Sequence, residues 1–333
     1  MRSVMSQNRP KTQRQSTAVN TRKSNGTGRS GRPGAPAKRV KPATASDWIA
    51  GARLRTLPLA IAPVVIGTGA ATIADGAGVY HPVRAVLALL VAVFLQIGVN
   101  YANDYSDGVR GTDAYRVGPS RLTGSGRARP RAVLTVALTF FALGALSGLV
   151  LVVLTQRWWA LPVGAVAIAA AWFYTGGKRP YGYYGLGEVF VFVFFGLVAT
   201  AGTTYMLAGV VNQESWFGAV IAGLIACAVL MVNNIRDIEP DKQAGKRTLA
   251  VLIGNVASRI VFCVLLLVPF GILGVLALLY PIAWLGFFAL LLALPACLIA
   301  LTAKTPRELV LALQLTSFTG LAVAVALGAA YAF

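Results

Sequence analysis

The stretch Asn103-Asp104-Tyr105-Ser106-Asp107-Gly108-Val109-Arg110-Gly111-Thr112-Asp113 follows an apolar run, Val83 to Val99, long enough to be most of a membrane helix. A helix continued through Asp107 sets Asn103 and Asp107 four residues apart and Asp104 and Asp107 three apart, so the three side chains can share one face. The pattern returns in Asn233-Asn234-Ile235-Arg236-Asp237-Ile238-Glu239-Pro240-Asp241, which closes a second long apolar run and spaces Asn233, Asp237 and Asp241 by four. The offset from Asn103 to Asn233, and from Asp107 to Asp237, is 130 residues in both cases. Two acidic clusters at equivalent ends of two membrane helices ask for shared cations.

Of the 333 residues, 56% are hydrophobic and 12% charged, a balance that excludes a soluble globule and points to a polytopic, all-α membrane protein. The net charge of +19 does not signal nucleic acid, because 11 of the 30 Lys and Arg residues fall in residues 1–45, where there is no acid. That segment is too poor in aliphatic side chains to offset its ordering entropy. Residues 1–45 are therefore expected to form a disordered basic tail near an anionic leaflet, and residues 46–333 the membrane domain. The tail lacks the apolar region of a secretory signal peptide. Ser46-Asp47-Trp48 reads as a helix cap and interfacial anchor. Cys227, Cys263 and Cys297 each lie in an apolar run and read as small buried hydrophobes.

Nine apolar runs are candidate spans: Leu57–Ala74, Val83–Asp104, Ala132–Leu154, Trp158–Tyr174, Leu186–Leu207, Trp216–Ile235, Ser258–Leu279, Ile282–Ala303 and Leu309–Ala330. With the tail on one side, 28 of the Lys and Arg residues share that side and only Arg84 and Arg157 fall opposite. Without the tail the ratio is still 17 to 2. The charge bias makes the tail side cytoplasmic, in the plasma membrane, and the acidic clusters share that face.

The clusters offer oxygen donors only, a set that suits Mg²⁺, Mn²⁺ or Ca²⁺ over zinc. Mg²⁺ uses one or two carboxylates and bridges to substrate phosphates. A diphosphate substrate accounts for the cations crowded on the same face: Arg110, Arg116 and Arg121 after the first motif, Lys178 and Arg179 in the next cytoplasmic loop, and Arg236, Lys242, Lys246 and Arg247 around the second. A third stretch, Tyr174-Thr175-Gly176-Gly177-Lys178-Arg179-Pro180-Tyr181-Gly182-Tyr183-Tyr184-Gly185-Leu186-Gly187-Glu188, combines glycines for close backbone approach with tyrosines, and its Glu188 opens a span without an obvious partner.

The two Asp-rich stretches resemble the paired motifs of the UbiA superfamily of intramembrane prenyltransferases. Arg116-Val117-Gly118-Pro119-Ser120-Arg121-Leu122-Thr123-Gly124-Ser125-Gly126, the Tyr174–Glu188 stretch and Asp241-Lys242-Gln243-Ala244-Gly245-Lys246-Arg247-Thr248-Leu249 are similar to its menaquinone-synthesis branch. The likeness covers residues 46–333. It implies a nine-helix bundle around a central cavity open toward the cytoplasm, and transfer of an all-trans polyprenyl group from its diphosphate to 1,4-dihydroxy-2-naphthoate with loss of CO₂. By the same likeness, Asn103, Asp107, Asp237 and Asp241 hold Mg²⁺ (Mn²⁺ being the alternative), with Asp104, Asp113 and Asn233 contributing. Asp107 and Asp237 are then essential for turnover. Arg110, Lys178, Arg236, Lys242 and Lys246 are the diphosphate candidates, and Tyr174, Arg121 and Glu188 the candidates for orienting or deprotonating the acceptor. The remaining readings are another acceptor (4-hydroxybenzoate, homogentisate or haem) and a transporter. Transporter sites lie near the midplane, whereas these acids cluster at one boundary.

Overall fold

The computed structural model describes residues 40–74, 81–115 and 121–333; most of the expected tail, and Arg116, lie outside them. Among the described residues there is no strand, and the expected spans become helices. A short helix α1 (Ala45–Gly51) leads through a turn of 3₁₀ helix at Leu54–Thr56 into α2 (Pro58–Thr72). Then come α3 (Pro82–Arg110), α4 (Pro130–Thr155) and α5 (Ala160–Phe173). The next span, Gly187–Ala208, is built from α6 (Gly187–Val191), a π-helical stretch (Phe192–Val198) and α7 (Ala199–Ala208). Beyond α8 (Gln213–Arg236) lie two short helices, α9 (Ile238–Gln243) and α10 (Leu249–Ile253). The chain ends with α11 (Asn255–Leu279), α12 (Leu290–Thr302) continuing a 3₁₀ stretch from Pro281, and α13 (Pro306–Ala332).

Seven of these are long and apolar enough to cross a membrane, or eight if α1 and α2, bent by 46°, form one span. Two of the nine expected spans are thus shorter than their apolar runs. Helix α5 has 14 residues, about 21 Å at 1.5 Å per residue, against a hydrocarbon core of about 30 Å. Helix α2 has 15 residues and falls short of its expected run at both ends, while Arg53 in a left-handed conformation (φ 53°) separates it from α1. Ser46 is not the cap of α1. Thr44 accepts from the Asp47 backbone N–H, and the Asp47 carboxylate accepts from the Thr44 N–H, forming a capping box two residues earlier than expected.

The largest core cluster joins α2, α8, α11, α12 and α13 through side chains such as Ile66, Ile225, Met231, Phe262 and Leu327, and smaller ones join α3 to α4 and to α7. Small residues let the backbones approach. A Cβ on Gly69 would lie 2.5 Å from the Gly328 carbonyl oxygen of α13, so only glycine fits there. Cys227 and Cys297 are buried, as expected, and Cys263 partly so. Gly69→Val forces α2 and α13 apart and is expected to destabilise the protein by about 1–3 kcal/mol. The readout is the melting temperature of the purified protein in detergent, with Gly271→Ala, which meets nothing within 4 Å, leaving it unchanged.

Candidate active site

Helix α3 runs unbroken past Asp107 to Arg110 and stops at Gly111 in the left-handed conformation. Asp107 points into a dense polar knot and its side chain is only 3% exposed. Its Oδ2 accepts from Arg121 Nη1 at 2.6 Å, and its Oδ1 from the Tyr183 hydroxyl at 2.6 Å and from Lys246 Nζ at 3.2 Å. Lys246 Nζ also lies 3.9 Å from Asp241 Oδ1. One ammonium nitrogen is therefore reached by a carboxylate of each motif, which brings the two distant motifs to one place. Burial and then the Asp107 charge push the Tyr183 phenol above its ordinary pKa, so it stays protonated and donates. Burial opposes the Arg121 charge, but Asp107, Asp113 and Asp104 outweigh it and hold the guanidinium above its usual range.

Asn103, one turn before Asp107, accepts from Thr175 Oγ1 at 2.7 Å and lines a cavity of about 580 Å³. Asp104 turns elsewhere. Its two oxygens accept from the backbone N–H groups of Leu122 (2.9 Å) and Thr123 (2.8 Å), so it anchors the following loop. The loop packs this close because Gly108 has no side chain; a Cβ there would sit 2.4 Å from Thr123.

The second motif has the same spacing but a broken backbone. Pro240 lacks the N–H that would bond back to Arg236, so α8 ends at Arg236 and α9 restarts at Ile238. Asp237, at the break, takes Arg236 Nε and Nη2 at 2.7 and 2.5 Å. Asn233 and Arg236 line the cavity, while Asn234 donates to Glu188 Oε1 at 3.0 Å.

The structure thus brings Asp107, Asp241 and Lys246 together, and gathers Asn103, Asn233, Tyr174 and Arg236 at the cavity. Others expected at the site are placed differently. Arg110 donates to the carbonyls of Thr175 and Gly177, closing the Gly loop over α3. Arg121 spans Asp107, Asp113 (3.4 Å) and the Asn103 carbonyl. Lys242 pairs with Glu239 on the exposed face, Lys178 is exposed, and Glu188 is buried behind Asn234 outside the cavity lining. Among the described residues no three Asp, Glu, His or Cys side chains form a closed metal cage.

Sequence reading missed several polar lining residues: Arg53, Arg55, Thr56, Gln96 and Asn100. Gln96, Asn100 and Asn103 were detectable as polar residues on one face of an apolar helix. Arg53 and Arg55 carried no such signal, since a left-handed turn delivers them. Apart from Thr203, the rest of the lining is apolar and aromatic, with Leu95, Ile168, Phe190, Phe194 and Met206 among it.

A helical membrane bundle whose cavity has one polar end beside paired acidic motifs is the architecture of an intramembrane transferase for lipid-like substrates. The chain belongs to the UbiA prenyltransferase family, whose family model matches residues 60–309. It is 50% identical over 291 residues to the 1,4-dihydroxy-2-naphthoate octaprenyltransferase of Mycobacterium tuberculosis, covering 87% of this chain and 98% of that protein. The Escherichia coli protein of the same name is 40% identical over 218 residues, 64% of this chain and 70% of its own. The fold is similar to a UbiA homolog from Aeropyrum pernix, with TM-score 0.61, 16% identity, and coverage of 82% and 96% of the two chains. A UbiA homolog from Archaeoglobus fulgidus, solved with GPP and Mg²⁺, matches with TM-score 0.57 at 14% identity over 85% and 99%.

Asp104→Ala leaves two buried loop amides without an acceptor, at about 1–3 kcal/mol each. The expected outcome is a lower melting temperature and faster proteolysis in the 121–129 loop, whereas Asp104→Asn, which keeps one acceptor oxygen, loses less.

Proposed function

We propose that the protein transfers an all-trans polyprenyl group from polyprenyl diphosphate to 1,4-dihydroxy-2-naphthoate, releasing CO₂ and diphosphate and making the demethylmenaquinone skeleton. The observation that carries this reading is the likeness over 98% of the length of the M. tuberculosis protein so named, joined to a cavity with one polar end and an apolar body.

The donor set suits a hard divalent cation: carboxylates of both motifs already converge on one positive charge, that of Lys246. Asp107, Asp237 and Asp241, with Asn103 and Asn233, would hold Mg²⁺ or Mn²⁺, and Asp113 would contribute from beyond Arg121. Bound there, the ion supplies positive charge to the departing diphosphate. Lys246 and Arg236 are the cations placed to share that work; Arg110 and Arg121 position loops and carboxylates instead. Lys178 and Lys242, on the exposed face, steer the anion inward.

As the C–O bond breaks, the apolar lining excludes water from the allylic cation, and the outer π faces of Phe190 and Tyr181, whose ring centroids are stacked 3.9 Å apart, stabilise it. The new C–C bond forms at the ring carbon that carries the carboxylate. Loss of CO₂ then returns the electron pair to the ring, so no side chain has to remove a ring proton. Glu188 is accordingly a positioning residue that holds Asn234 and the end of α8, and Tyr174 orients the ring at the cavity wall.

The bent α1–α2 pair and the short α5 complete nine crossings with the seven long helices. The bias of Lys and Arg sets the N-terminus and the acidic motifs on the cytoplasmic face of the plasma membrane, with residues 1–45 a basic tail and 46–333 the catalytic domain.

Purified protein incubated with polyprenyl diphosphate and dihydroxynaphthoate is expected to give the prenylated, decarboxylated product by mass spectrometry, and none after EDTA treatment until Mg²⁺ is restored. Asp107→Asn and Asp237→Asn are each expected to lower turnover at least about a hundredfold while the protein still accumulates in the membrane. Near-normal turnover in either variant removes the metal assignment.

A further inference from the structure

Halfway down the cavity wall, α3 presents a buried amide whose bonding is half complete. Gln96 is 7% exposed, lines the cavity, and donates from Nε2 to Thr56 Oγ1 at 3.2 Å. The Thr56 hydroxyl proton is already committed to the Arg53 carbonyl at 2.9 Å, so Thr56 can only accept from Gln96. That fixes the amide orientation and leaves Oε1 as the end without a partner. One turn on, Asn100 Nδ2 donates to the Ala52 carbonyl at 2.9 Å. Both residues therefore clamp the turn that carries Arg55 to the cavity. Among the described residues Arg55 has no ion pair, and the charge that bears on it is the like charge of Arg236.

A buried acceptor oxygen and an uncompensated guanidinium on one cavity demand a ligand with a hydroxyl donor and an anion. A polyprenyl chain offers neither hydrogen-bond donor nor charge, so the prenyl tail cannot satisfy this wall. We propose that Gln96 and Arg55 form the subsite for a hydroxylated aromatic carboxylate, with Gln96 Oε1 accepting a ring hydroxyl and Arg55 pairing with the carboxylate. The inference rests on the function proposed above and assigns its acceptor site. In 1,4-dihydroxy-2-naphthoate the 1-hydroxyl bonds internally to the adjacent carboxylate. The 4-hydroxyl keeps a free proton, and that is the group for Gln96.

The test uses the full-length protein in detergent under anaerobic conditions. Dissociation constants for dihydroxynaphthoate, 1-hydroxy-2-naphthoate and 1,4-naphthalenediol are read by tryptophan quenching, and the KM for polyprenyl diphosphate by turnover. The wild type is expected to prefer dihydroxynaphthoate to 1-hydroxy-2-naphthoate about tenfold, the worth of one buried hydrogen bond. Gln96→Leu removes that preference while the KM for polyprenyl diphosphate stays within about twofold; Arg55→Gln removes the preference for dihydroxynaphthoate over the diol. Should Gln96→Leu not fold, Gln96→Met, close in volume, carries the same comparison. A preference undiminished in the Gln96 variant overturns the hydroxyl assignment, since a merely structural clamp would weaken all three ligands alike. An Arg55→Gln variant that raises the diphosphate KM but keeps the preference over the diol overturns the carboxylate assignment. A wild type that makes no product from dihydroxynaphthoate overturns the function itself and this subsite with it, a result distinguishable from either of the others.

Discussion

The polar face of the molecule depends on the burial of a single carboxylate, Asp107. A carboxylate removed from water without partners costs several kcal/mol, so its position is tenable only when donors come to it. They come from three separate segments: Arg121 from the loop after α3, Tyr183 from the Gly loop before α6, and Lys246 from the chain after α9. Each donor is fixed in turn by its own backbone or neighbours. Arg121 also holds the Asn103 carbonyl, the Tyr183 carbonyl accepts from Arg247 N–H, and Lys246 N–H bonds the Asp241 carbonyl. One buried charge therefore sets the relative positions of four stretches of chain that are remote in sequence.

That arrangement divides the cavity into two regions with opposed tasks. At the end of α3 and α8, charge and hydrogen-bonding groups are dense, which suits an anion that gains charge as it leaves. Deeper in, the wall is aliphatic and aromatic, which suits an isoprenoid chain and denies water to a reactive cation. The boundary between the two runs along one face of α3, through Asn103, Asn100 and Gln96. One face of this helix thus changes from polar to apolar along the length of the cavity.

The helices were legible in the sequence because an apolar run of membrane length leaves the chain few alternatives: backbone groups in hydrocarbon must bond internally. The two short helices were less so, since a run such as Trp158–Tyr174 does not reveal where its hydrogen bonds stop. At the site, the pairing of the two motifs was legible from spacing alone. The division of labour within each motif was not. Asp104 and Asp107 share one face of a helical wheel, but the path of the 121–129 loop gives one to backbone amides and the other to three donors. Arg110 likewise carries the same charge as any other loop cation. Only the fold of the Gly loop decides that it meets carbonyls rather than substrate. Gln96 was legible as a polar residue on an apolar helix face, but its unpartnered oxygen, and the left-handed turn that brings Arg55 to the cavity, become visible only in three dimensions.

The equal offset of 130 residues suggests two copies of one device, yet the copies are not interchangeable, and the reason is local. Helix α3 continues through its motif, so Asn103 and Asp107 lie on one line, the first at the cavity and the second in the buried knot. In the second motif Pro240 halts α8, and the chain turns at Asp237 before resuming. The turn folds the Asp237 carboxylate back on Arg236 and carries Asp241 toward Lys246. The first copy thus offers a compact, heavily neutralised carboxylate, and the second a spread of groups along a break in the helix. The first motif therefore rides on one continuous helix, whereas the second is divided between the end of α8 and the start of α9.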